Sequence, residues 1–187
     1  LSPALVRQAA REVSVRAMSQ PSPWTGGPRR LELERTLPGE LTEEQWEVVV
    51  SEVQRTLGVP GFASKVGRTR TWSAFSVTGA PSNRREVSVT ATIHDGTTTL
   101  RIDEPLSRLT GAVFGGLIGG LGGGTTGIWF GIGMGVYHSP LIAVLCVMAT
   151  VSGAYSLARP VFKRAAARRL AELDAMLDRM AAAVETP

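Results

Sequence analysis

The longest hydrophobic stretch of this chain is a run of fifty residues without Asp, Glu, Lys or Arg, between Arg108 and Arg159. One helical crossing of a bilayer needs about 20 apolar residues, so this run is long enough for two. The segment Tyr137-His138-Ser139-Pro140 combines an interfacial aromatic residue, an N-cap serine and a proline suited to the first turn of a helix. The pattern therefore predicts a transmembrane hairpin, with one helix over residues 109–136 and a second over residues 141–158.

Within the first predicted span, seven glycines recur at a strict spacing of four residues. Residues four apart lie on nearly the same face of a helix, and glycines there let two backbones approach closely. We expect this face to pack against another helix. The partner is the second span of the same hairpin, a second copy of the chain, or the neighbouring helices of a glycine-lined pore. The seven helix-packing residues are Gly111, Gly115, Gly119, Gly123, Gly127, Gly131 and Gly135.

Basic residues follow the second span at once, whereas the turn between the spans carries none. Because positive charge stays on the cytoplasmic side of a membrane protein, both termini are expected in the cytoplasm. All but two of the 20 basic residues are arginine and alanine is abundant, which is typical of a bacterium with high genomic G+C content. The expected location is thus a bacterial inner membrane. The basic cluster consists of Arg159, Lys163, Arg164, Arg168 and Arg169.

Before the membrane, residues 29–106 carry the pattern of a small α+β domain. Leu31 and Leu33 alternate with charged residues, which predicts a first strand. The sequence Thr42-Glu43-Glu44-Gln45 is a capping box, and apolar positions from Trp46 to Leu57 lie on one helical face, which Gly58 ends. A helix packed on a sheet is therefore expected.

The rest of this domain is predicted to be strands. Residues 62–77 are rich in Val, Thr, Trp and Phe, with Gly67 as a bulge. Residues 87–94 alternate apolar and polar, and Asp95-Gly96 makes a tight hairpin turn into a further strand over 98–102. One face of the resulting antiparallel sheet is expected under the helix, and the other in water.

Two segments precede the domain. Residues 1–18 show apolar positions at helical spacing, which predicts an amphipathic helix. Since so short a helix buries no core alone, it docks on the domain, binds a partner, or ends a further N-terminal domain. Residues 19–28, rich in Pro and Gly, have the composition of a linker.

After the membrane, residues 160–185 are expected to form a separate amphipathic helix begun by Pro160. Its apolar positions alternate between spacings of four and three, as in a coiled-coil seam. The stripe serves self-association, packing on the chain's own domain, or contact with headgroups, and membrane tethering favours the first by raising the effective concentration. The self-association residues are Leu170, Leu173, Leu177, Met180 and Val184.

Residues suited to catalysis or metal binding are few. His94 and His138 lack any partner pattern, and Asp103-Glu104 is expected to be a solvated strand end. No catalytic residue, metal or cofactor is predicted, and the protein is not expected to be an enzyme. The candidate binding surface is an aromatic residue with two arginines in one strand: Trp72, Arg68 and Arg70.

The charge balance limits the partners. A net charge of +4 is shared between the parts on either side of the hydrophobic run, and neither part is basic enough to indicate nucleic acid. Cys146, the single cysteine, is expected to be a small inert hydrophobe of the second span. The expected partners are the lipid bilayer, further copies of the chain, and a small apolar ligand.

Two short segments resemble known families. Ser2–Val13, with the pattern Ser-Pro-x-x-Val-x-x-Ala-Ala-Arg-Glu-Val, resembles the SHOCT-like helical segments of two-span bacterial membrane proteins. That resemblance implies a membrane protein with a small cytoplasmic domain. Leu31–Val53 looks like the opening strand and helix of START-type ligand-binding domains. That resemblance implies a sheet around a hydrophobic cavity, here in reduced form.

These patterns together predict an α+β protein: a small antiparallel sheet with one packed helix, a two-helix transmembrane hairpin and a C-terminal amphipathic helix. Its expected role is binding or scaffolding at the membrane. A first alternative is a membrane-tethered, ligand-sensing regulatory domain with an apolar pocket under Trp46. A second is a glycine-lined oligomeric pore.

Overall fold

The structure is a computed structural model that describes residues 21–74 and 85–185, together with the backbone of residues 16–18. Its contacts divide the chain into two compact units. The sheet unit comprises residues 16–18, 29–74, 85–105 and 168–185. The hairpin unit comprises residues 21–28 and 106–167.

The sheet unit contains a six-stranded, fully antiparallel sheet in the order β1-β2-β6-β5-β4-β3. The predicted α+β class is confirmed. The strands are β1 (Arg16–Met18), β2 (Arg30–Pro38), β3 (Gly61–Val66), β4 (Thr69–Ala74), β5 (Ser88–His94) and β6 (Thr97–Pro105).

Alternation along the strands decides which face is buried. In β2 the side chains of Leu31, Leu33 and Leu37 are buried, while their polar neighbours lie on the opposite face. The turn between β5 and β6 is tight because Asp95 and Gly96 both adopt positive φ, at 47° and 73°. Such a turn matches the twist of a hairpin, as its sequence predicts.

Helix α1 (Glu43–Leu57) covers this buried face and has the expected local signals. The Thr42 side chain accepts from the backbone N–H of Gln45, whose side chain in turn accepts from the backbone of Thr42. Gly58 ends the helix in the left-handed conformation, with φ of 62°. Trp46, with Val49 and Val53 of the same stripe, is buried.

The hairpin unit is helical along most of its length. The first stretch consists of α2 (Ser107–Thr110), a π-helical segment (Gly111–Gly123) and α3 (Gly124–Gly135). After a short turn, α4 (Pro140–Glu185) runs for 46 residues as one helix. In the described chain one helix, Pro140–Val184, is long and apolar enough to cross a membrane. Of the 18 residues in its most apolar stretch, 17% are buried inside the chain.

Several segments differ from their prediction. Arg16–Met18 forms β1 beside β2 rather than the end of a helix, and residues 1–15, with the SHOCT-like segment, lie outside the described residues. The strand-like run 62–77 contains two strands, because Gly67, with φ of 60°, opens a two-residue turn instead of a bulge. Pro160 lies within α4 and starts no new helix.

Residues 21–28 are not a free linker. They fold onto α4 within the hairpin unit, and Gly27 lies against the ring of Phe162. A β-carbon at Gly27 would lie 2.7 Å from that ring, so glycine is required for this approach.

Candidate helix-packing face and charged network

Small residues bring the two helical stretches of the hairpin unit together. A β-carbon placed on Gly133 would lie 2.5 Å from the Cβ of Ala143 and 2.8 Å from its Cα and backbone nitrogen. A β-carbon on Gly122 would lie 3.2 Å from Cγ2 of Val151. Gly133 therefore allows a close backbone approach that no other residue permits without a shift.

Aromatic side chains continue this contact beyond the glycines. The ring of Phe114 lies with its centroid 5.9 Å from that of Tyr155 and 5.9 Å from that of Phe162, both in tilted arrangements. Separations of this size are typical of aromatic pairs that attract each other. The inner face thus changes from glycine and alanine at the turn to aromatic rings at the other end.

The seven predicted helix-packing glycines lie on the outer side of this stretch. Each is exposed, and a β-carbon on any of them would meet nothing within 4 Å. Packing against the second helix of the same hairpin was one expectation for them, and the structure gives that role to Gly122 and Gly133 instead. The reason is that the segment carries two glycine faces, and the less regular one meets α4.

Large apolar side chains also lie on the outer surface of the hairpin unit. Of sixteen exposed large hydrophobic residues in the described chain, thirteen belong to this unit. They are Trp24, Leu121, Ile128, Phe130, Met134, Val136, Tyr137, Leu141, Val144, Leu145, Met148, Leu157 and Val161.

Two of the three residues of the candidate binding surface are buried on β4, and Arg68 lies in the turn before that strand. Trp72 is 0% exposed, and Arg70 is also buried, where its Nη1 donates to the carbonyl of Thr42 at 2.5 Å. Arg68 is exposed and pairs with Glu40 at 2.5 Å. The prediction fails because residues 70 and 72 point to the helix-covered face of the sheet, where the indole packs against Gly61.

The C-terminal stripe is buried within the sheet unit. Leu173, Leu177 and Met180 are at most 1% exposed, whereas Leu170 and Val184 are half-buried. This is the outcome expected from packing on the chain's own domain, one of the three uses considered for the stripe. Self-association through the same residues stays a prediction.

Polar contacts fix this part of α4 on the sheet unit. Arg179 Nε lies 2.7 Å from Glu52 Oε1 on α1, and its Nη2 donates to the Thr56 hydroxyl at 3.1 Å. The hydrogen bond from Arg179, with a further one from Arg55, holds the pKa of Glu52 below its ordinary value against the opposing effect of burial. Gln45 also donates to the carbonyl of Val184 at 3.0 Å.

A charged network lies at the end of β6. Glu104 is 0% exposed, and its two oxygens accept from Arg85 at 2.8 and 3.1 Å and from Arg169 at 2.6 Å. Arg85 also pairs with Glu172 at 2.6 Å. Burial acts to lower the pKa of Arg85, but the bonds and charge of Glu104 and then Glu172 outweigh it, so this pKa is raised.

Glu104 was expected to be solvated, and that expectation is wrong. The sequence did carry a signal for this burial, because alternate residues of a strand share a face. Glu104 follows the inward positions Thr98, Leu100 and Ile102 at a spacing of two. A carboxylate at an inward position needs partners. The two arginines that supply them are distant in sequence.

A cleft of about 330 Å³ lies between α1 and α4 in the sheet unit. Its lining combines apolar side chains with two arginines and a glutamate. Trp46 does not line it, whereas the ligand-sensing alternative predicts an apolar pocket under that residue. The lining residues are Thr56, Leu57, Arg85, Glu172, Leu173, Ala175, Met176 and Arg179. In the described part of the chain no group of three His, Cys, Asp or Glu residues is placed to hold a metal ion.

Comparison with known proteins gives little. No family model matches the chain, and no curated protein matches it. Among solved structures, the crystal structure of CalU16 from Micromonospora echinospora is similar over 76% of this chain and 98% of that chain, at 15% identity and a TM-score of 0.32. A likeness of that size carries no argument about function.

Proposed function

We propose that this chain is an integral protein of the bacterial inner membrane that scaffolds at the membrane by self-association. Its helical hairpin crosses the bilayer twice, the sheet unit lies in the cytoplasm, and the outward glycines of the first crossing bind a second copy. The observation that carries this proposal is the outward, unoccupied position of all seven spaced glycines.

The apolar surface supports membrane insertion. Full burial of a large apolar side chain is worth about 1.5–3 kcal/mol, so thirteen half-exposed ones in water represent an unfavourable hydration on the order of 10 kcal/mol. That is comparable to the whole stability of a domain. Lipid removes this term, and it also enforces backbone hydrogen bonding in a segment as rich in glycine as 111–135.

The first bilayer crossing is proposed for residues 107–135. From Ser107 to Gly135 the chain is helical without interruption, although its central part is π-helical. The stretch has 29 residues, more than the roughly 20 that one crossing needs. The arginines that begin at Arg159 follow the second crossing and favour cytoplasmic termini.

The glycines indicate what occupies the outer face. A helix side that meets only lipid gains nothing from glycine, whereas a second helix can approach the backbone and form dispersion and Cα–H···O contacts along such a stripe. Ile128 and Met134, each three residues from Gly131, are large exposed side chains that lie beside the stripe. A second copy of the same stripe is the partner with matching shape.

The test is the mass of the detergent-purified protein by light scattering, for the wild type and for Gly119→Leu/Gly123→Leu. We expect a wild-type oligomer and a monomeric variant. Gly153→Leu is the matched control, since Gly153 lies on α4 and a β-carbon there also meets nothing within 4 Å. The control should keep the wild-type mass.

Other outcomes would count against the proposal. Self-association would be refuted if the wild type is a monomer both by light scattering in detergent and by chemical cross-linking of the protein in bilayers. Membrane insertion would remain intact. Ion flux through liposomes that is lost with the same glycine changes would favour the pore instead.

The cleft in the sheet unit favours a second candidate, a membrane-tethered ligand sensor. Its volume is at the lower end of the range for small-molecule pockets, roughly 300–1,000 Å³. Arg85 and Arg179, which also pair with Glu172 and Glu52, lie beside apolar side chains in this lining, and that combination suits an amphipathic carboxylate. We expect decanoate, but not decanol, to raise the unfolding temperature, and Ala175→Trp, which fills the cleft, to abolish the rise. No shift with decanoate would refute this candidate.

A further inference from the structure

The segment Pro21–Pro28, here named the clasp, forms a closed turn. The backbone N–H of Gly26 donates to the carbonyl of Ser22 at 2.7 Å, and that of Ser22 donates to the carbonyl of Gly27 at 3.0 Å. Ser22 is 5% exposed. The clasp therefore has internal structure and does not behave as a free connection.

The clasp is held on one part of α4. The hydroxyl of Tyr155 donates to the carbonyl of Trp24, and Arg159 Nη2 donates to the carbonyl of Pro23 at 3.3 Å. Gly27 lies against the ring of Phe162. These three residues of α4 lie along a single side of two helical turns, and they set the level of the clasp along the helix.

The side chain of Trp24 points away from this contact. Its backbone is fixed, yet its indole is 74% exposed, the largest exposure of any tryptophan among the described residues. Hydration of a large aromatic ring that is held exposed to water is unfavourable. The ring therefore has a favourable environment that the chain alone does not supply.

The level of the ring identifies that environment. Tyr155 lies four residues before Arg159, which is the first charge after the charge-free run. Arg159 and Lys163 both approach Gly26, within about 3.1 Å of the position of a β-carbon there. Tryptophan is enriched where hydrocarbon meets headgroups, and cationic side chains at that level attract anionic lipids.

We propose that the clasp is an interfacial anchor, with the Trp24 indole at the boundary between headgroups and acyl chains and Arg159 and Lys163 beside anionic phospholipid headgroups. The anchor fixes the depth at which α4 leaves the bilayer. This inference rests on the proposed insertion of the hairpin, and it adds a lipid-binding site in a segment whose composition indicates only a linker.

The test uses tryptophan fluorescence of the full chain in liposomes of phosphatidylglycerol and phosphatidylcholine. Some of the lipids carry bromine near the headgroup or near the chain ends. The difference between wild type and Trp24→Phe isolates Trp24, and the difference between wild type and Trp129→Phe isolates a residue of the first crossing. Trp46 and Trp72 cancel in both differences.

We expect Trp24 to be quenched about twofold more by shallow than by deep bromine, as for an interfacial ring, and Trp129 to show the opposite order. Gly27→Leu should reduce the quenching of Trp24 by shallow bromine, because a side chain there collides with Phe162 and displaces the clasp. Trp129 should be unaffected by that change.

Two outcomes would overturn the proposal, and they are distinguishable. If Trp24 is quenched by aqueous iodide and not by bromine while Trp129 is quenched by deep bromine, the hairpin is inserted and the clasp is not an anchor. If neither residue responds to bromine, insertion of the hairpin fails and the anchor fails with it.

Discussion

The two glycine faces of the hairpin unit predict opposite responses to the same small change. Replacing glycine by alanine adds one methyl group and raises helix propensity by a similar amount at each site, so the difference between sites depends on what that methyl meets. At Gly133 it meets both the Cβ and the backbone of Ala143, whereas at Gly131, two residues earlier, it meets nothing within 4 Å. Gly122 is intermediate, since the neighbouring atom is the mobile end of Val151.

The magnitudes follow from these neighbours. Backbone atoms at 2.8 Å cannot rotate away, so Gly133→Ala separates the helices and should destabilise the hairpin by about 1–3 kcal/mol. Val151 can yield by a few tenths of an ångström, and Gly122→Ala should change stability by less than about 0.5 kcal/mol. Gly131→Ala gains helix propensity, at most about 1 kcal/mol, and should not destabilise the monomer.

The assay is unfolding in mixed micelles with increasing sodium dodecyl sulfate, followed by circular dichroism and by the emission of Trp129 in α3, taken as the difference from the same variants carrying Trp129→Phe. The masses from light scattering are measured in parallel, because Gly131 lies on the face proposed for self-association. The expected order of monomer stability is Gly131→Ala at or above wild type, then Gly122→Ala, then Gly133→Ala. Equal stability of Gly133→Ala and wild type would refute the close helix contact on which this reasoning depends.

Three further predictions concern the sheet unit. Glu104→Leu should destabilise the unit by about 3–5 kcal/mol in urea unfolding, since it leaves two arginines without their buried partner, and a loss below 1 kcal/mol would contradict the network. The pKa of Glu52 lies below its ordinary value of 4.5, so its pairing with Arg179 stabilises the fold above that pH and the contribution is lost as the pH falls through the lowered pKa. Arg179→Met should therefore flatten the dependence of unfolding free energy on acidic pH, and an unchanged slope would refute the assignment. Gly61→Ala places a methyl group against the indole of Trp72 and should lower the melting temperature by several degrees, at a cost of about 1–3 kcal/mol.

Local signals in the sequence were reliable where neighbouring residues decide the conformation. The Thr42 capping box, the left-handed Gly58 and the Asp95-Gly96 turn each depend on groups within four residues, and the structure has all three. Alternation along β2 likewise identified the buried Leu31 and Leu33. Two boundaries failed because the deciding contact is distant: Arg16–Met18 pairs with β2, and α4 continues through Pro160.

Burial of polar and aromatic residues could be predicted only in part. Parity along a strand indicates which side chains share a face, yet it does not say which face a helix covers. Trp72 and Glu104 therefore looked accessible, and both are 0% exposed. The arginines that satisfy Glu104 lie 19 and 65 residues away, at distances along the chain for which no local pattern exists.

By itself the sequence determined that the chain has an alternating sheet domain, a charge-free run of fifty residues and a glycine stripe of period four, because periodicity follows from the geometry of strand and helix. Only the tertiary structure decided how these faces are used. It turned the regular glycines outward and placed Gly122 and Gly133 against α4, since both faces allow close approach and the choice depends on the complementary shape of the other helix. It also placed the clasp on α4 and the C-terminal stripe on the sheet unit. The sequence could not decide this, because an apolar pattern indicates which residues are buried and not which element covers them.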